Sequence, residues 1–308
     1  MPRPLRLQFA DAIYHVINRG NYRRPIFESV GARKAFLKAL DEAVVEHGWL
    51  LHAYVLLNNH FHLALETPRA NLSEGMHWLQ STFATRFNRF RCERGHLFQG
   101  RFQALLVEPG PALARVVNYV HLNPVRAGLV SVTDLPNYPW GSLPRFINAG
   151  RPGHLLCDEW LRELGLTDSP DGWQRYRAFL AELANDPARQ EADGFEAMTL
   201  GWSIGRDEWR QAIAAEYRAM PVLEAPYGPE RDAIREAEWS RCLDALMREV
   251  GRTRAEALAT RKGVPWKVEI AACMRRESTA THRWLARELG MGRPAALRVL
   301  LSRARRAQ

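Results

Sequence analysis

One stretch of seven residues alternates strictly between two kinds of side chain. Phe61, Leu63 and Leu65 are large and apolar, and they alternate with His60, His62, Ala64 and Glu66. Successive side chains of a β-strand point to opposite faces of a sheet, so the pattern predicts a strand with the apolar side chains on one face and the histidines on the other. We expect the apolar face to pack against a core and the histidine face to remain outside it.

A second stretch has the periodicity of a helix. Leu113, Val116, Val117 and Val120 are three or four residues apart and define the buried stripe of an amphipathic helix. Tyr119 lies about 110° from the centre of this stripe, at about 100° per residue. Its side chain can therefore reach a groove beside the core, although a lone helical tyrosine commonly packs its ring without a catalytic role.

Two polar residues accompany the tyrosine on the predicted helix. Arg115 and Asn123 lie four residues before and four residues after Tyr119, so the three side chains share one edge of the helix. Pro124 disfavours helical backbone at the residue before it. We therefore expect the regular helix to end near Asn123.

The complete hydrophobic pattern predicts an α+β fold. The expected elements are strands at 12–18, 49–57, 60–66 and 102–108, and helices at 31–47, 71–92 and 111–123. Their order is that of a ferredoxin-like (RRM-like) antiparallel sheet to which the tyrosine-bearing helix is added. Asn58 and Asn59 tolerate positive φ and are typical of the tight turn that joins the second and third strands.

The chain after residue 150 is predicted to be all-helical. Helices are expected at 170–184, 205–219, 229–250, 266–276, 281–289 and 295–306. The last two enclose a turn at 290–294, and the final helix carries Arg298 and Arg303. This arrangement is typical of a helix-turn-helix that docks on DNA, although a basic helical hairpin without that role fits the same pattern.

Charge divides the chain into three segments. Residues 1–150 contain 17 basic and 10 acidic side chains, residues 151–260 contain 14 and 21, and residues 261–308 contain 12 and 3. Lys and Arg supply most of the non-specific affinity for phosphate backbones, so two basic ends predict two contacts with nucleic acid. Solvation of surface helices explains the same charges without a ligand. We expect an N-terminal domain (1–150), an acidic helical region (151–260) and a basic helix-turn-helix-like tail (261–308).

The remaining composition bounds the environment of the protein. The cysteines Cys92, Cys157, Cys242 and Cys273 have neither zinc-site nor redox spacing, so we expect reduced packing residues. No apolar run approaches the roughly 18 residues of a membrane span, and the basic N-terminus is not followed by the hydrophobic block of a signal peptide. We expect a soluble, cytoplasmic protein, with a monomer favoured over an oligomer.

The histidine pair raises the question of a metal ion. A neutral imidazole nitrogen is a common ligand of divalent metals, and His60 and His62 share one face of the predicted strand. Carbonyl groups or water satisfy two strand histidines equally well. The pair alone therefore does not establish a metal site.

Four sequence blocks, taken in order, resemble the single-tyrosine transposase superfamily with its His-hydrophobic-His (HUH) motif, and within it the branch of REP-associated tyrosine transposases. The blocks are residues 14–21, residues 59–63 with the two histidines, residues 98–102, and residues 119–129 with the tyrosine. The resemblance covers residues 8–148. One departure is Asn58, which stands where the family commonly has proline.

The resemblance implies a metal-dependent enzyme that nicks and joins single-stranded DNA at or beside palindromic hairpin repeats through a 5′-phosphotyrosine intermediate. It makes Tyr119 the catalytic nucleophile and His60 and His62 the metal ligands, with Asn123 as a third ligand and Mg²⁺ or Mn²⁺ as the cofactor. The residues expected to contact DNA, from charge and from position in the motifs, are Arg19, Arg23, Arg24, Arg101, Arg115, Arg126, Arg298 and Arg303.

Three other functions stay open, because the fold alone does not establish catalysis. A domesticated transposase would bind palindromic DNA as a regulatory or architectural protein without cutting it. A replication or plasmid-transfer nickase would share the chemistry, but the Asn-Pro-Val-Arg-Ala-Gly block at 123–128 favours the transposase branch. An RNA-binding module of ferredoxin-like fold is the most distant alternative.

Overall fold

The fold is that of a computed structural model, which describes residues 8–148, 151–219, 229–278 and 280–306, without the side chains of residues 216–235, 277 and 302–306. The chain divides into two compact units, one from Leu7 to Arg206 and one that begins at Asp207. The three-segment organisation with boundaries near residues 150 and 260 stays a prediction, because a division by contact does not test which segments have separate functions.

The first unit contains the predicted ferredoxin-like core. Its elements are β1 (Ala12–Arg19), α1 (Val30–His47), β2 (Leu50–Leu56), β3 (His60–Thr67), α2 (Leu72–Arg91), β4 (Gln103–Val107) and α3 (Pro111–Arg126). The four strands pair antiparallel in the order β2-β3-β1-β4. The predicted fold class is therefore confirmed.

The apolar face of β3 packs as predicted, against helices α1 and α2. Phe61 of β3 lies with its ring centroid 4.8 Å from that of Phe36 in α1, and Phe36 lies 5.1 Å from Phe83 in α2. All three side chains are fully buried. Burial of large aromatic surfaces of this kind is a major source of core stability, so this face anchors the strand that carries the histidines.

The opposite face of β3 is also buried, and the expectation that the histidines lie outside a core is wrong. His62 is 1% exposed and Ala64 is fully buried, because α3 packs across β2 and β3 on this face. His60, at the end of the strand, is only half-buried. Alternation of apolar and polar residues reports polarity, but an imidazole with hydrogen-bond partners can occupy a buried face.

Helix α3 continues through Pro124 and does not end near Asn123 as predicted. Proline removes one backbone hydrogen bond, but the buried face of the helix includes Asn123 and Pro124, and packing outweighs the local preference. The helix stops where Gly128 takes a left-handed φ of 66° and the Leu129 amide donates to the carbonyl of Pro124 at 2.9 Å. This Schellman-type cap makes Gly128 the terminating residue.

The turn between β2 and β3 forms at the predicted place by a different mechanism. The Leu57 amide donates to the carbonyl of His60 at 2.9 Å, and neither Asn58 nor Asn59 has a positive φ. The asparagines instead use their side chains, since Asn58 Oδ1 accepts from Arg33 at 3.0 Å. The turn is thus held by one backbone hydrogen bond within the hairpin and by a side-chain hydrogen bond from Arg33 outside it.

In the rest of the first unit, where the sequence predicts helices after residue 150, the described regular elements are helices and one short strand. It contains α4 (Leu143–Ile147), α5 (Asp158–Glu163), α6 (Pro170–Ala184) and α7 (Pro187–Ala192), followed by the strand β5 (Ser203–Ile204). Strand β5 joins the sheet in parallel beside β4 and was not predicted. Two residues are too short to show a strand periodicity, so the sequence carries no signal for it.

The second unit is helical, as predicted. Its elements are α8 (Asp207–Ala219), α9 (Pro229–Glu249), α10 (Arg254–Ala259), α11 (Pro265–Glu277), α12 (His282–Glu288) and α13 (Pro294–Arg306). Helices α11, α12 and α13 follow the predicted three-helix order, and their shared core includes Trp239, Trp284 and Leu297. Among the helices of the described ranges, none has both the length and the hydropathy needed to cross a bilayer.

Candidate active site and metal centre

The two histidines of β3 lie side by side on the face covered by α3. Their ring centroids are 5.1 Å apart with the planes nearly perpendicular. Burial lowers the pKa of His60 to about 4, with a further contribution from Arg19. Burial also lowers the pKa of His62 well below its usual value, with contributions from the neighbouring His15 and His60. Both rings are therefore neutral near pH 7, the form that binds metal ions.

The orientation of His60 is fixed by the asparagine before it. Asn59 Nδ2 donates to the carbonyl of Arg23 at 3.0 Å, so its Oδ1 faces His60 Nδ1, 2.7 Å away. An amide oxygen only accepts, and His60 Nδ1 is therefore the protonated nitrogen. The lone pair of the neutral ring lies on Nε2, which leaves that atom able to bind a cation.

His62 presents a similar unpaired nitrogen in a more buried position. Its Nδ1 lies 3.0 Å from His15 Nε2 on the adjacent strand β1, whereas its Nε2 is buried and has no hydrogen-bond partner among the described residues. An unpartnered buried polar atom is costly, commonly about 1–3 kcal/mol. A divalent ion held by His60 and His62 would remove this cost, so the residues fit a metal site.

Tyr119 lies against His62 and against its neighbour His15. Its ring centroid is 5.5 Å from that of His62 and 5.7 Å from that of His15, and both contacts are edge-on. The guanidinium of Arg126, two turns further along α3, lies 5.1 Å from the centre of the tyrosine ring. Helix α3 therefore places the Tyr119 ring against His62 and the Arg126 guanidinium over the tyrosine ring.

The tyrosine does not face an open groove, because a segment from beyond the predicted domain covers it. Tyr119 is 6% exposed, and the ring of Phe195 meets it edge-on at 5.4 Å. Phe195 begins a short 3-10 helix, and Met198 just after it accepts a hydrogen bond from His15 Nδ1 at 2.9 Å through its carbonyl. We call residues 193–198 the cover segment. The prediction of an accessible tyrosine is wrong for this conformation.

Asn123, the predicted third ligand, is buried one turn after Tyr119 on the same helix. Its Nδ2 donates to the carbonyl of Tyr119, one turn earlier in the same helix, at 3.0 Å. The side chain is buried next to the tyrosine, and its role as a ligand stays a prediction. Among the described residues, the group of three or more His, Cys or carboxylate side chains close enough to share an ion lies elsewhere, at Cys157, Asp158 and Asp168. Asp168 there pairs with Arg151.

The predicted DNA-binding arginines differ in exposure. Arg19, Arg23, Arg24, Arg101, Arg126 and Arg298 are exposed, Arg115 is half-buried, and the side chain of Arg303 lies outside the described residues. Arg19 is paired with His60 in the strand register, and the Arg23 carbonyl accepts a hydrogen bond from Asn59 Nδ2. Arg24 forms an ion pair with Glu93 at 2.6 Å.

Sequence reasoning did not single out Tyr22, which stands in the loop after β1. Its side chain is 92% exposed, and both Tyr22 and Arg23 have left-handed backbone, with φ of 53° and 58°. Such backbone is unfavourable for side-chain-bearing residues and is concentrated at functional sites. The ring therefore stands in solvent between cationic side chains, an arrangement suited to stacking on a nucleic-acid base.

Comparison with known proteins agrees with these observations. Residues 8–123 match the family model described as Transposase IS200 like. No curated protein matches the chain. A solved structure described as a REP-associated tyrosine transposase bound to a REP hairpin is similar at 18% identity and a TM-score of 0.41, covering 51% of this chain and 92% of that chain. The family match includes the two β3 histidines and Tyr119, and the cover segment lies beyond its end.

Proposed function

We propose that this chain, whose residues 8–123 match the family model described as Transposase IS200 like, is a metal-dependent endonuclease and strand transferase for single-stranded DNA. The substrate is DNA at or beside palindromic hairpin repeats, and the intermediate is a 5′-phosphotyrosine linkage. The observation that carries the proposal is the contact between Tyr119 and His62, whose ring centroids are 5.5 Å apart.

The metal site of this proposal consists of His60 and His62, with Asn123 as the third ligand. Two neutral imidazoles with unprotonated Nε2 atoms support it, and the unpartnered Nε2 of His62 is its most direct support. A Mg²⁺ or Mn²⁺ ion bound there supplies Lewis-acid stabilisation of the charge that develops on the scissile phosphate.

Tyr119 is the nucleophile of the proposed reaction. Its hydroxyl oxygen forms a bond to phosphorus and loses its proton to solvent, while the bond from phosphorus to the 3′-oxygen breaks and that oxygen takes a proton from solvent and leaves as a 3′-hydroxyl. The DNA on the 3′ side of the break stays attached to Tyr119 through its 5′-phosphate, as a phosphodiester. A second 3′-hydroxyl can therefore reverse the step and join two strands without a nucleotide cofactor.

Cationic side chains around the site hold the DNA backbone in this proposal. Arg126 lies over the Tyr119 ring and can contact the phosphate that the tyrosine attacks. Arg19, Arg23 and Arg101 are exposed on the same unit and contact flanking phosphates. In the second unit, Arg298 and Arg303 of the helix-turn-helix-like tail contact DNA independently.

The cover segment sets a condition on this reaction. Because Phe195 is 2% exposed and its ring lies against Tyr119, the DNA strand reaches the tyrosine only when the Phe195 ring moves aside. Local opening of short surface segments is an ordinary low-cost motion of folded proteins. In this proposal the described conformation is the closed state of the enzyme.

The same burial favours one alternative. A domesticated transposase that binds palindromic DNA without cutting it has no need of an accessible tyrosine, and Tyr119 is 6% exposed. Such a protein would use its basic surfaces for recognition and would keep the cover segment closed. The two functions differ in one product, the covalent adduct.

The adduct is the basis of the test. The full-length protein is incubated with end-labelled single-stranded hairpin DNA and Mn²⁺, and the products are separated on a denaturing gel. We expect a protein–DNA adduct that is lost with EDTA and with Tyr119→Phe, and retained with Tyr22→Phe, a matched loss of an exposed hydroxyl. Tight binding without an adduct in Mg²⁺ or Mn²⁺ would support the non-cleaving alternative and refute the proposal.

A further inference from the structure

We infer that His15 is a positioning residue, which holds His62 in the tautomer that presents an unprotonated Nε2 to a metal ion. His15 is fully buried on β1, and its Nε2 lies 3.0 Å from His62 Nδ1. The inference rests on the proposed function for its purpose, because the metal ligand it positions is the one proposed above. Its structural content, a single fixed tautomer at His62, stands on the hydrogen bonds alone.

Two hydrogen bonds link Met198, His15 and His62 in series, and the direction of each follows from the Met198 carbonyl at one end. The carbonyl oxygen of Met198 can only accept, so His15 Nδ1, 2.9 Å away, carries a proton and donates. A neutral imidazole has one N–H, and His15 Nε2 is therefore an acceptor. Its partner His62 Nδ1 must donate, which leaves His62 Nε2 without a proton.

Other arrangements of protons are less favourable. If His15 carried its proton on Nε2, the unprotonated Nδ1 would face the Met198 carbonyl, and two acceptors would oppose each other at 2.9 Å. If His15 and His62 each carried a proton on both ring nitrogens, two buried cations would lie with their centroids 5.1 Å apart. The structure shows no salt bridge from a described carboxylate to either ring. With the Met198 carbonyl in place, one proton arrangement therefore dominates.

This arrangement gives the two candidate ligands the same chemical form. His60 donates through Nδ1 to Asn59, and His62 donates through Nδ1 to His15, so both keep the Nε2 lone pair. A partner that accepts from the non-ligating nitrogen of a metal-bound histidine orients the ring and raises its basicity. His15 has this role for the deeper ligand, in place of the carboxylate or carbonyl that more commonly fills it.

The series of hydrogen bonds also extends beyond the family match. Met198 belongs to the cover segment, and its carbonyl determines which nitrogen of His15 is protonated. Residues 8–123 alone supply His15 and His62 but not this acceptor. The tautomer of the proposed ligand is therefore set by a part of the chain that the family model does not include.

The tautomer can be measured directly in the metal-free protein. The full-length chain is labelled with ¹⁵N, and long-range ¹H–¹⁵N correlation spectra at pH 7 distinguish protonated from unprotonated ring nitrogens, with His62→Gln used for assignment. We expect one tautomer of His62, protonated at Nδ1 only. Protonation at Nε2, or rapid exchange between both tautomers, would overturn the inference whatever the enzyme does.

Metal affinity provides a second readout that activity does not enter. Calorimetric titration with Mn²⁺ is expected to show about 10–100-fold weaker binding for His15→Leu, the usual effect of losing such a partner. His15→Gln places an acceptor near the position of Nε2 and is expected to bind within a few-fold of the wild type. His121→Gln, a change at a buried histidine bonded elsewhere, is the control and should bind normally.

The outcomes separate the inference from the proposed function. If the wild type binds Mn²⁺ and forms the adduct while a folded His15→Leu variant binds Mn²⁺ equally well, the inference is wrong and the function stands. If the wild type neither binds Mn²⁺ nor forms the adduct, the function is wrong, and the tautomer measured by NMR still decides the inference.

Discussion

The ring of Tyr119 meets the ring of His62 edge-on, with centroids 5.5 Å apart in the interior of the first unit. The two residues come from a helix and a strand that are well separated in the sequence, and the fold brings them together by packing α3 across β2 and β3. A nucleophile and a proposed metal ligand in contact are the minimum that phosphoryl transfer through tyrosine requires.

Removal of the metal ligands should abolish adduct formation without abolishing DNA binding. We expect His62→Ala, or EDTA with the wild type, to lower the initial rate of adduct formation by about 100-fold or more, the scale on which loss of one charge-stabilising group acts. Binding of hairpin DNA, measured by fluorescence anisotropy in EDTA, should change little because the arginines supply it. Equal rates with and without EDTA would contradict the metal site.

Opening the cover segment should accelerate the reaction. Phe195→Ala removes the ring that lies on Tyr119, and we expect faster adduct formation together with a free energy of unfolding lower by about 3–5 kcal/mol, as for other buried phenylalanines. Phe195→Leu keeps most of the buried surface and serves as the control. A slower reaction in a Phe195→Ala protein that remains folded would mean that Phe195 assists catalysis and does not obstruct it.

The exposed ring of Tyr22 should contribute to binding of single-stranded DNA. Stacking of one base on an aromatic side chain is worth about 1–3 kcal/mol, so Tyr22→Ala should weaken the affinity by roughly 5- to 150-fold at constant salt. Tyr22→Phe preserves the ring and should bind like the wild type. Equal affinity for the alanine variant, measured by anisotropy with an oligonucleotide, would exclude a stacking role.

Stability should fall in acid because of a buried histidine remote from the metal site. Burial lowers the pKa of His121 to about 3, whereas an unfolded chain has the ordinary value of about 6.5. Between these pH values the unfolded state binds a proton that the folded state does not. The stabilising contribution is therefore complete above about pH 6.5 and is lost as the pH falls towards 3.

Urea unfolding at several pH values measures this effect. One such proton corresponds to a slope of about 1.4 kcal/mol per pH unit between pH 4 and 6. His121 bonds to Tyr176 and Ser142, and His121→Gln can keep part of this network while it removes the titrating group. The slope should decrease by about one proton in the variant, and an unchanged slope would contradict the assignment.

The sequence predicted the elements whose periodicity is strong. The alternation around Phe61 and the helical spacing of Val116 and Val120 located β3 and α3, and each element of the core appears within a few residues of its predicted bounds. The motifs singled out Tyr119 and His62, whose rings lie in contact. Pro124 was misleading because a local preference was weighed without the packing that the buried end of the helix provides.

Other features could not be predicted from local patterns. The role of His15 depends on the register that places β1 beside β3, and only the folded sheet shows this register. The one sequence signal for His15 was the presence of a histidine on a predicted strand of the same sheet. The contact of Phe195 with Tyr119 depends on the return of residues 193–206 to the sheet edge at β5, and those residues have no motif. Long-range packing of this kind leaves little trace in periodicity.

Mass spectrometry of the covalent complex identifies the residue to which the DNA is attached. The full-length protein is reacted with a hairpin oligonucleotide and Mn²⁺, digested with trypsin and nuclease, and searched for the peptide that carries the nucleotide. We expect a single modified peptide with a 5′-phosphate ester on Tyr119. A modification on another tyrosine, or complete conversion of DNA to nicked product with no modified peptide, would contradict it.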